Sequence, residues 1–230
     1  MKPSQKSEFL RTEGDAFFQR NQQSLIPDGQ LAATDPLLAL LSTWSPFPAR
    51  VLEIGCANGW RLDRVRALGA VKLQGIDPGA GAVAAGRRAY PELDLQVGTA
   101  DQLPFPDASF DLVIFGFCLY LCDPSDYFRI VAEADRVLAC SGQLCVLDFD
   151  PPFPYRNPYA HKPGLYSYKM DFGRLFLGHP QYQLREKRMC GHGGGPGLNP
   201  DDRIAVTWLT KNGPEAWPVN PWSRGPMGNG

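Results

Sequence analysis

The sequence predicts an α/β fold with a doubly wound, mostly parallel sheet, and three observations support this prediction. A short apolar run, Val51–Ile54, breaks into the turn Gly55–Gly59, after which a helical pattern begins. A second run of the same kind, Val71–Ile76, ends in Asp77. Strand-like and helix-like segments then alternate as far as residue 150, which is the pattern of βαβ units packed into a parallel sheet.

The turn after the first strand indicates a ligand-binding corner. Its glycines are spaced G-x-x-x-G, unlike the G-x-G-x-x-G of dinucleotide folds. Glu53 lies at the end of the strand, where a carboxylate would repel a pyrophosphate but attract a ligand that carries a cation. S-adenosylmethionine, with its ammonium and its sulfonium, fits this requirement. A nicotinamide dehydrogenase is disfavoured by Glu53 and by the glycine spacing.

Two further acids follow the second and third predicted strands. Asp77 stands 18 residues after Gly59, where an acid can accept hydrogen bonds from both ribose hydroxyls. Asp101 can accept a hydrogen bond from an adenine amino group, while Ala100 can offer its backbone N–H and Leu103 can cover the ring. Because parallel strands end at the same edge of a sheet, these acids are expected to lie near the glycine corner.

The remaining elements follow from apolar periodicity and from capping residues. Helices are predicted over Ser7–Gln22 with Ser7 as the cap, from Asp35-Pro36 to before Pro46, over Trp60–Leu68, Ala80–Tyr90 and Asp171–Leu177, and from Pro124 to Leu138. Further strands are predicted over Leu93–Val97, Leu112–Phe115, Gln143–Phe149, Tyr182–Cys190 and Arg203–Lys211. Ser141-Gly142 is expected to end the helix that precedes Gln143. The first helix either packs on the core or forms a lid, with Phe18 as a wall and Arg20 meeting a ligand carboxylate.

Four of these segments resemble the class I S-adenosylmethionine-dependent methyltransferases. The resemblance covers roughly residues 48–150 and rests on LEIGCANG, GIDP, GTADQLPFPDASFDLV and the helix followed by SGQLCVLD. It implies a Rossmann-like, seven-stranded sheet with an antiparallel last strand, and it is strongest for small-molecule enzymes of sugar and secondary-metabolite pathways. It also implies that Glu53, Gly55 and Gly59 lie at the methionine end of the cofactor, Asp77 at the ribose and Asp101 at the adenine.

These patterns define candidate residues for the cofactor and for the methyl acceptor. The candidate cofactor contacts are Phe18, Arg20, Glu53, Gly55, Cys56, Gly59, Asp77, Pro78, Ala100, Asp101, Gln102 and Phe117. Residues 151–170, rich in Pro and Tyr, are expected to roof the substrate pocket. If the acceptor is a hydroxyl, a base must take its proton, and His192, His161 and Asp150 are the candidates.

Composition limits the partners of the chain. Its 23 Lys and Arg residues balance 24 Asp and Glu residues, so no nucleic-acid partner is expected. No run of 18 apolar residues and no apolar signal core at the N-terminus are present, so a cytoplasmic enzyme without a membrane partner is the expectation. The six cysteines form no C-x-x-C pair; buried, reduced thiols and no metal site are predicted.

We expect one domain over residues 1–211: a helical lid (1–34), a cofactor-binding core (35–150), a substrate-side insertion and loop (151–202) and a last strand (203–211). Residues 212–230 are expected to form a Pro/Gly-rich tail. The predicted reaction is methyl transfer from S-adenosylmethionine to a hydroxyl or carboxylate oxygen of a small molecule. The alternatives are methylation of a protein or peptide, and a non-catalytic S-adenosylmethionine-binding regulatory subunit. A homodimer is left open.

Overall fold

A computed structural model of the chain describes residues 4–25, 34–193, 195–197, 199–220 and 222. The strands are β1 (Arg50–Ile54), β2 (Lys72–Asp77), β3 (Asp94–Val97), β4 (Phe110–Gly116), β5 (Leu138–Phe149), β6 (Tyr155–Pro158), β7 (Tyr166–Lys169), β8 (Tyr182–Gly191) and β9 (Arg203–Lys211). Seven of them form one sheet in the order β3-β2-β1-β4-β5-β9-β8. Strands β1 to β5 pair in parallel, whereas β9 runs antiparallel to β5 and β8. The predicted sheet, including its antiparallel last strand, is confirmed.

Helices cover both faces of this sheet. They are α1 (Gln5–Glu8), α2 (Gly14–Asn21), α3 (Pro36–Leu41), α4 (Trp60–Arg66), α5 (Ala80–Ala89), α6 (Tyr127–Val137) and α7 (Arg174–Leu177), with a π-helical turn over Phe9–Glu13 between α1 and α2. We call the continuous segment 5–21 the N-terminal helix. Its cap is Ser4, whose hydroxyl accepts the N–H of Ser7, so the prediction of Ser7 as the cap is wrong by one turn. Asp35 caps α3 as predicted, with Pro36 at its first position.

The core lies on both faces of the sheet, and β4 shows why. Val113 and Phe115 point into one apolar cluster, whereas Leu112 and Ile114 point into the other. All four side chains are completely buried. Successive side chains of a strand face opposite sides, so a strand covered by helices on both sides is apolar at every position. This explains why the central strands read as continuous apolar runs.

The join between α6 and β5 differs from the prediction. The helix ends at Val137, and Leu138 already pairs with Phe110 of β4, so Ser141-Gly142 lies within the strand instead of ending the helix. Ser141 has a φ of 65°, and the pairing register shifts nearby, between Phe110 and Leu112. The turn signal in the sequence therefore marks an irregularity in a long strand.

The insertion after β5 contains regular structure that the sequence did not predict. Strands β6 and β7 pair in antiparallel fashion into a hairpin, which we call the roof hairpin. In the described part of the chain, no helix has both the length and the apolar character needed to span a membrane. The expected lid (1–34) and tail (212–230) include residues 1–3, 26–33, 221 and 223–230, which lie outside the described residues.

Candidate cofactor and acceptor site

The carboxyl ends of β1, β2 and β4 open into a cavity of about 380 Å³. The N-terminal helix and the roof hairpin close it from above through Phe9, Phe17, Tyr159 and other side chains. A cavity at this edge of the sheet is expected for a doubly wound fold, because the loops that follow the strands all meet there. Its volume is within the range of small-molecule sites.

The glycine corner after β1 is shaped by three residues with positive φ. Gly55, Ala57 and Gly59 have φ values of 75°, 48° and 78°. A Cβ atom at Gly55 would overlap the Cβ of Cys118 in the segment that follows β4. Glycine at position 55 therefore allows both the left-handed backbone and the close approach of two loops at the cavity wall. Gly55 and Cys56 line the cavity, whereas Gly59 lies at the start of α4 and packs towards Leu95.

Asp77 lies directly beside this corner, as the order of the strands predicts. Its two carboxylate oxygens accept the backbone N–H groups of Ala57 and Gly79, each at 2.8 Å. Burial raises the pKa of Asp77 to about 6, although the two N–H donors oppose the shift. Asp77 and its neighbour Pro78 line the cavity, so the carboxylate is held rigidly at a polar point of the wall.

Glu53 is buried behind an arginine that the sequence analysis did not consider. It is completely inaccessible to solvent, and its Oε1 accepts a hydrogen bond from Nη1 of Arg61. Its Oε2 has no hydrogen-bond partner among the described residues. Burial raises the pKa of Glu53 against the opposing charge of Arg61. Arg61 and Asp35 line the cavity, but Glu53 does not, so the prediction of direct contact between Glu53 and the ligand needs correction.

Two of the three predicted cofactor contacts in the loop after β3 line the cavity, and the third does not. Ala100 and Asp101 line the cavity. Gln102 is exposed and forms a bridge with Thr99, so its prediction as a cofactor contact is not supported by its position. Asp101 accepts a hydrogen bond from Lys6 at 2.6 Å. Burial alone would raise the pKa of Asp101, but the hydrogen bonds from Lys6 and Thr99 lower it overall.

The N-terminal helix covers the cavity with a different side chain from the one predicted. Phe18 packs in a cluster with Ala57, Trp60 and Ala82 and does not line the cavity. Phe17, one position earlier, does line it. Adjacent residues of a helix point about 100° apart, so a lid that presents Phe17 to the cavity must turn Phe18 towards the core.

Arg20 also has a partner within the protein. Its guanidinium pairs with the buried Glu13 and donates to the hydroxyl of Tyr159 at 3.0 Å. The Tyr159 hydroxyl in turn donates to Glu13 at 3.2 Å. Arg20 does not line the cavity, so its predicted contact with a ligand carboxylate is not supported; instead it joins the N-terminal helix to the roof hairpin.

Aromatic side chains surround the end of the cavity near β4 and β5. Phe117, Tyr120 and His192 line it, and the His192 ring centroid lies 5.1 Å from that of Phe117 and 5.5 Å from that of Phe149. Burial against these rings lowers the pKa of His192, although part of the residue stays exposed. His161 lines the cavity from the roof hairpin side and is exposed. The two predicted histidines therefore reach the site.

Asp150, the third candidate base, does not reach this cavity. Its carboxylate pairs with Lys187 of β8 at 2.8 Å and is buried. Phe149, the preceding residue, faces His192 on the other side of the strand. Because side chains alternate along a strand, Asp150 must point away from the ring that supports His192. The position of Asp150 outside the cavity lining therefore does not support its predicted role as a base.

The cysteines are all free thiols. Cys56 and Cys145 are buried as predicted, but Cys140 is exposed because it lies in the irregular start of β5. Cys56, Cys118 and Cys122 line the cavity, and burial raises the pKa of each. Their thiols therefore stay protonated and apolar at neutral pH. No group of three His, Cys, Asp or Glu side chains that could hold a metal ion occurs in the described residues.

Sequence reasoning missed several residues of the site: Lys6, Phe17, Asp35, Trp60, Arg61, Cys118, Tyr120, Cys122 and Tyr159. One of them had a detectable signal. Arg61 is four and seven positions before Val65 and Leu68, so it shares the apolar side of α4. A charged residue on a buried face needs a partner, and this pattern could have predicted its ion pairs.

Comparison with known proteins gives a consistent result. Residues 51–142 match the family model described as a methyltransferase domain. The chain is 30% identical over 138 residues to a demethylmenaquinone methyltransferase of Bacillus velezensis, covering 56% of this chain and 57% of the relative. It is 36% identical over 97 residues to a probable S-adenosylmethionine-dependent methyltransferase of Mycolicibacterium smegmatis, covering 42% and 36%. The chain thus matches about half the length of these relatives or less.

Solved structures share the fold over most of the chain. The PH0226 protein of Pyrococcus horikoshii superposes with a TM-score of 0.68 at 16% identity, covering 86% of this chain and 99% of the other. The 1,6-didemethyltoxoflavin-N1-methyltransferase of Burkholderia thailandensis, solved with bound 1,6-didemethyltoxoflavin and S-adenosylhomocysteine, superposes with a TM-score of 0.68 at 17% identity, covering 90% of this chain and 87% of the other. At such identities the similarity establishes the fold.

Proposed function

We propose that this chain, whose residues 51–142 match a methyltransferase domain, is a class I S-adenosylmethionine-dependent methyltransferase that transfers a methyl group to a hydroxyl or carboxylate oxygen of a small molecule. The observation that carries this proposal is the single cavity that joins the glycine corner and Asp77 to the aromatic end with His192. A donor and an acceptor bound at its two ends would share one enclosed space, as direct transfer requires.

The residues of the cavity fit the cofactor. Gly55 and Cys118 are in close contact at the cavity wall, and a side chain at position 55 would overlap Cys118. Asp77, held by Ala57 and Gly79, would accept the ribose hydroxyls. At the expected methionine end, Arg61 lines the cavity and Glu53 lies buried behind it. The hydroxyls of a nucleoside would supply further donors to the carboxylate of Asp77, which lines the cavity.

When bound, S-adenosylmethionine supplies an electrophilic methyl group on a sulfonium. The chain contributes alignment, exclusion of water and proton transfer. Phe117 and Tyr120 cover the acceptor end, and the N-terminal helix with Phe9 and Phe17 covers the cavity from above. His192 would accept the proton of an acceptor hydroxyl, because its lowered pKa leaves the imidazole neutral at physiological pH. A carboxylate acceptor would need no base.

A small acceptor is favoured over a macromolecule by the shape of the site. The N-terminal helix and the roof hairpin are tied together above the cavity: Gln5 donates to Tyr166 O at 2.8 Å, and Lys162 pairs with Glu8 at 2.5 Å. A protein side chain would have to pass this cover. The near balance of charge, 23 basic against 24 acidic residues, also argues against a nucleic-acid substrate.

Isothermal titration calorimetry tests the cofactor assignment first. We expect micromolar binding of S-adenosylmethionine and S-adenosylhomocysteine, no binding of NAD, and loss of binding in Asp77→Ala. Asp107→Ala, which removes an acid that is 78% exposed, is the matched control and should bind normally. Absence of binding by the wild-type chain would overturn the proposal.

An acceptor screen tests the reaction. Small hydroxylated and carboxylated compounds are incubated with S-adenosylmethionine, and methylated products are detected by mass spectrometry. Turnover on an oxygen supports the proposed function. Turnover only on a protein or peptide would overturn the assignment of a small-molecule acceptor. Tight cofactor binding without turnover on any acceptor would favour a non-catalytic regulatory subunit.

A further inference from the structure

Aromatic rings form the lower wall of the cavity at its acceptor end. The imidazole of His192 packs edge-on against Phe117, with 5.1 Å between ring centroids, and nearly parallel to Phe149, at 5.5 Å. Tyr120 packs edge-on against Phe149 at 5.1 Å. Phe117, Tyr120 and His192 line the cavity, whereas Phe149 supports them without lining it. We call these four residues the lower aromatic wall. Because each ring is held by another, the wall is a preformed surface for a flat ligand.

A second set of rings covers the same end of the cavity from above. The ring centroids of Phe9 and Tyr159 lie 6.2 Å apart, and those of Tyr159 and His161 lie 5.3 Å apart. Phe17 packs in the same cluster as Phe9, and all four residues line the cavity. We call them the upper aromatic wall. Tyr120 of the lower wall also packs against this cluster, so the two walls meet there and enclose the space between them.

The charges around the cavity disfavour an anionic acceptor. Of the described residues that line it, five are aspartates and only two are lysine or arginine, namely Lys6 and Arg61. Lys6 pairs with Asp101 at 2.6 Å. Arg61 pairs with Asp35 at 3.0 Å and with the buried Glu53. Both cations are therefore already bound to acids, and an acceptor carboxylate or phosphate would meet an excess of negative charge.

Polar groups are few between the two walls. The hydroxyl of Tyr159 is already paired, because it accepts a hydrogen bond from Arg20 and donates one to Glu13. The walls otherwise offer one hydroxyl and two imidazoles, those of Tyr120, His161 and His192. A sugar carries a hydroxyl on most of its carbons, and each of these would need a partner once water is removed. An aromatic ring needs none, because its faces pack against other rings.

We propose that the methyl acceptor is an uncharged aromatic alcohol, such as a phenol, whose ring lies between the lower and the upper aromatic wall. This inference rests on the proposed function and names, within it, the class of acceptor. The hydroxyl oxygen bonds to the methyl carbon as the methyl–sulfur bond breaks, and the hydroxyl proton passes to His192. The products are an aryl methyl ether and S-adenosylhomocysteine. A phenol is neutral at physiological pH, because its pKa is close to that of tyrosine, about 10.

Calorimetry with three compounds of similar size tests this inference on the wild-type chain. The probes are 2-naphthol, decahydro-2-naphthol and 2-naphthoate, each titrated into the protein saturated with S-adenosylhomocysteine. We expect 2-naphthol to bind about 10-fold more tightly than decahydro-2-naphthol, which has the hydroxyl but no π face. It should also bind about 10-fold more tightly than 2-naphthoate, which has the rings but carries a negative charge. With S-adenosylmethionine instead, mass spectrometry should detect the methyl ether of 2-naphthol.

Variants that remove one ring from each wall assign the effect to residues. Phe9→Leu and Phe117→Leu should weaken 2-naphthol about 3- to 10-fold and decahydro-2-naphthol less than about 2-fold. Leucine keeps an apolar side chain but has no π face, so a loss confined to the aromatic ligand reports stacking. Phe128→Leu, on α6 and 82% exposed, is the matched control and should change neither affinity.

The outcomes separate this inference from the proposed function. Equal or tighter binding of either comparison compound, or no binding of 2-naphthol, overturns the inference; methylation of another small oxygen acceptor would then leave the proposed function intact. Equal weakening of 2-naphthol and decahydro-2-naphthol in both variants shows that the rings act only through packing, which also overturns the inference. If the wild-type chain binds no S-adenosylhomocysteine, the proposed function itself is refuted.

Discussion

The ammonium of Lys6 lies 2.6 Å from the carboxylate of Asp101, so the N-terminal helix binds the acid that follows β3. The backbone N–H of Lys6 also donates to Asp123 at 3.3 Å, and its ammonium lies 3.7 Å from Asp126. The start of the N-terminal helix is thus attached to the expected adenine end of the cavity. Hydrogen bonding to Asp101, partly opposed by burial, raises the pKa of Lys6.

Lys6→Met should loosen the N-terminal helix without unfolding the protein. The side chain of Lys6 is 33% exposed, so the loss in the free energy of unfolding should stay below about 1 kcal/mol. Hydrogen exchange of residues 5–21 should become faster, because the contact that fixes the start of the helix is lost. Arg66→Met, which breaks an exposed pair on α4, should leave that exchange unchanged. Identical exchange in wild type and Lys6→Met would contradict this role.

Phe18→Ala should mainly lower the stability of the protein, whereas Phe17→Ala should mainly weaken binding of the cofactor. Phe18 is 7% exposed and packs on Trp60, so its removal should cost about 3–5 kcal/mol of unfolding free energy. Its effect on the dissociation constant of S-adenosylhomocysteine should be less than about 3-fold. Phe17 lines the cavity, so Phe17→Ala should weaken binding about 5- to 10-fold with a smaller loss of stability. Denaturant titration and calorimetry give both quantities; the reverse ranking would restore Phe18 as the wall.

Gly55→Ala tests the close contact at the glycine corner. Gly55 and Gly164 both have positive φ, at 75° and 87°, but only Gly55 has a neighbour that a Cβ atom would meet. Gly164→Ala should therefore cost only the left-handed strain, about 1–2 kcal/mol. Gly55→Ala adds overlap with Cys118 and should cost about 2–5 kcal/mol in all. Equal costs in urea unfolding would show that the corner can move away from Cys118.

Asp148 should make stability depend on pH. Burial raises the pKa of this carboxyl to about 7 from its ordinary 3.8, although the N–H groups of Phe149, Tyr120 and Leu119 oppose the shift. The folded state then holds a proton that the unfolded state releases. The resulting stability is complete below pH 3.8 and is lost as the pH rises through 7.

The slope of this loss is at most about 1.4 kcal/mol per pH unit for one proton. Asp148→Asn cannot titrate, so its unfolding free energy should fall less steeply between pH 4 and 7. Asp107→Asn removes an exposed acid and should keep the wild-type slope. Urea titrations at several pH values decide the matter. Parallel curves for wild type and Asp148→Asn would mean that Asp148 does not titrate in this range.

His192→Asn should lower kcat about 10²- to 10⁴-fold with a hydroxyl acceptor and leave cofactor affinity unchanged. Because burial lowers the pKa of His192 below its ordinary 6.5, wild-type kcat should fall only at pH values below that number. The variant should lose this dependence on pH. His179→Asn, whose ring packs on Trp217 outside the cavity, is the control. A decrease in kcat of less than about tenfold would show that His192 is not the base, and His161 would then be tested in the same way.

Local patterns predicted much of the fold because the central strands are covered on both faces. Val51, Leu112 and Ile114 are completely buried, because both faces of the central strands are covered. Their apolar character therefore indicates strands without any knowledge of which strands pair with them. The same reasoning misplaced the end of α6. Leu138 fits a helix as well as a strand, and only its pairing with Phe110 commits it to β5.

The sequence by itself determined the doubly wound, mostly parallel sheet, the glycine corner and the position of Asp77 beside it, since these depend on short segments and on the rule that parallel strands end at one edge. Only the tertiary structure decided which charged and aromatic side chains face the cavity. Arg61 donates to Glu53, Lys6 donates to Asp101, and Lys187 donates to Asp150. In each of these pairs the two residues belong to different elements of the fold. Such pairings depend on the packing of whole elements, which no local pattern of residues encodes.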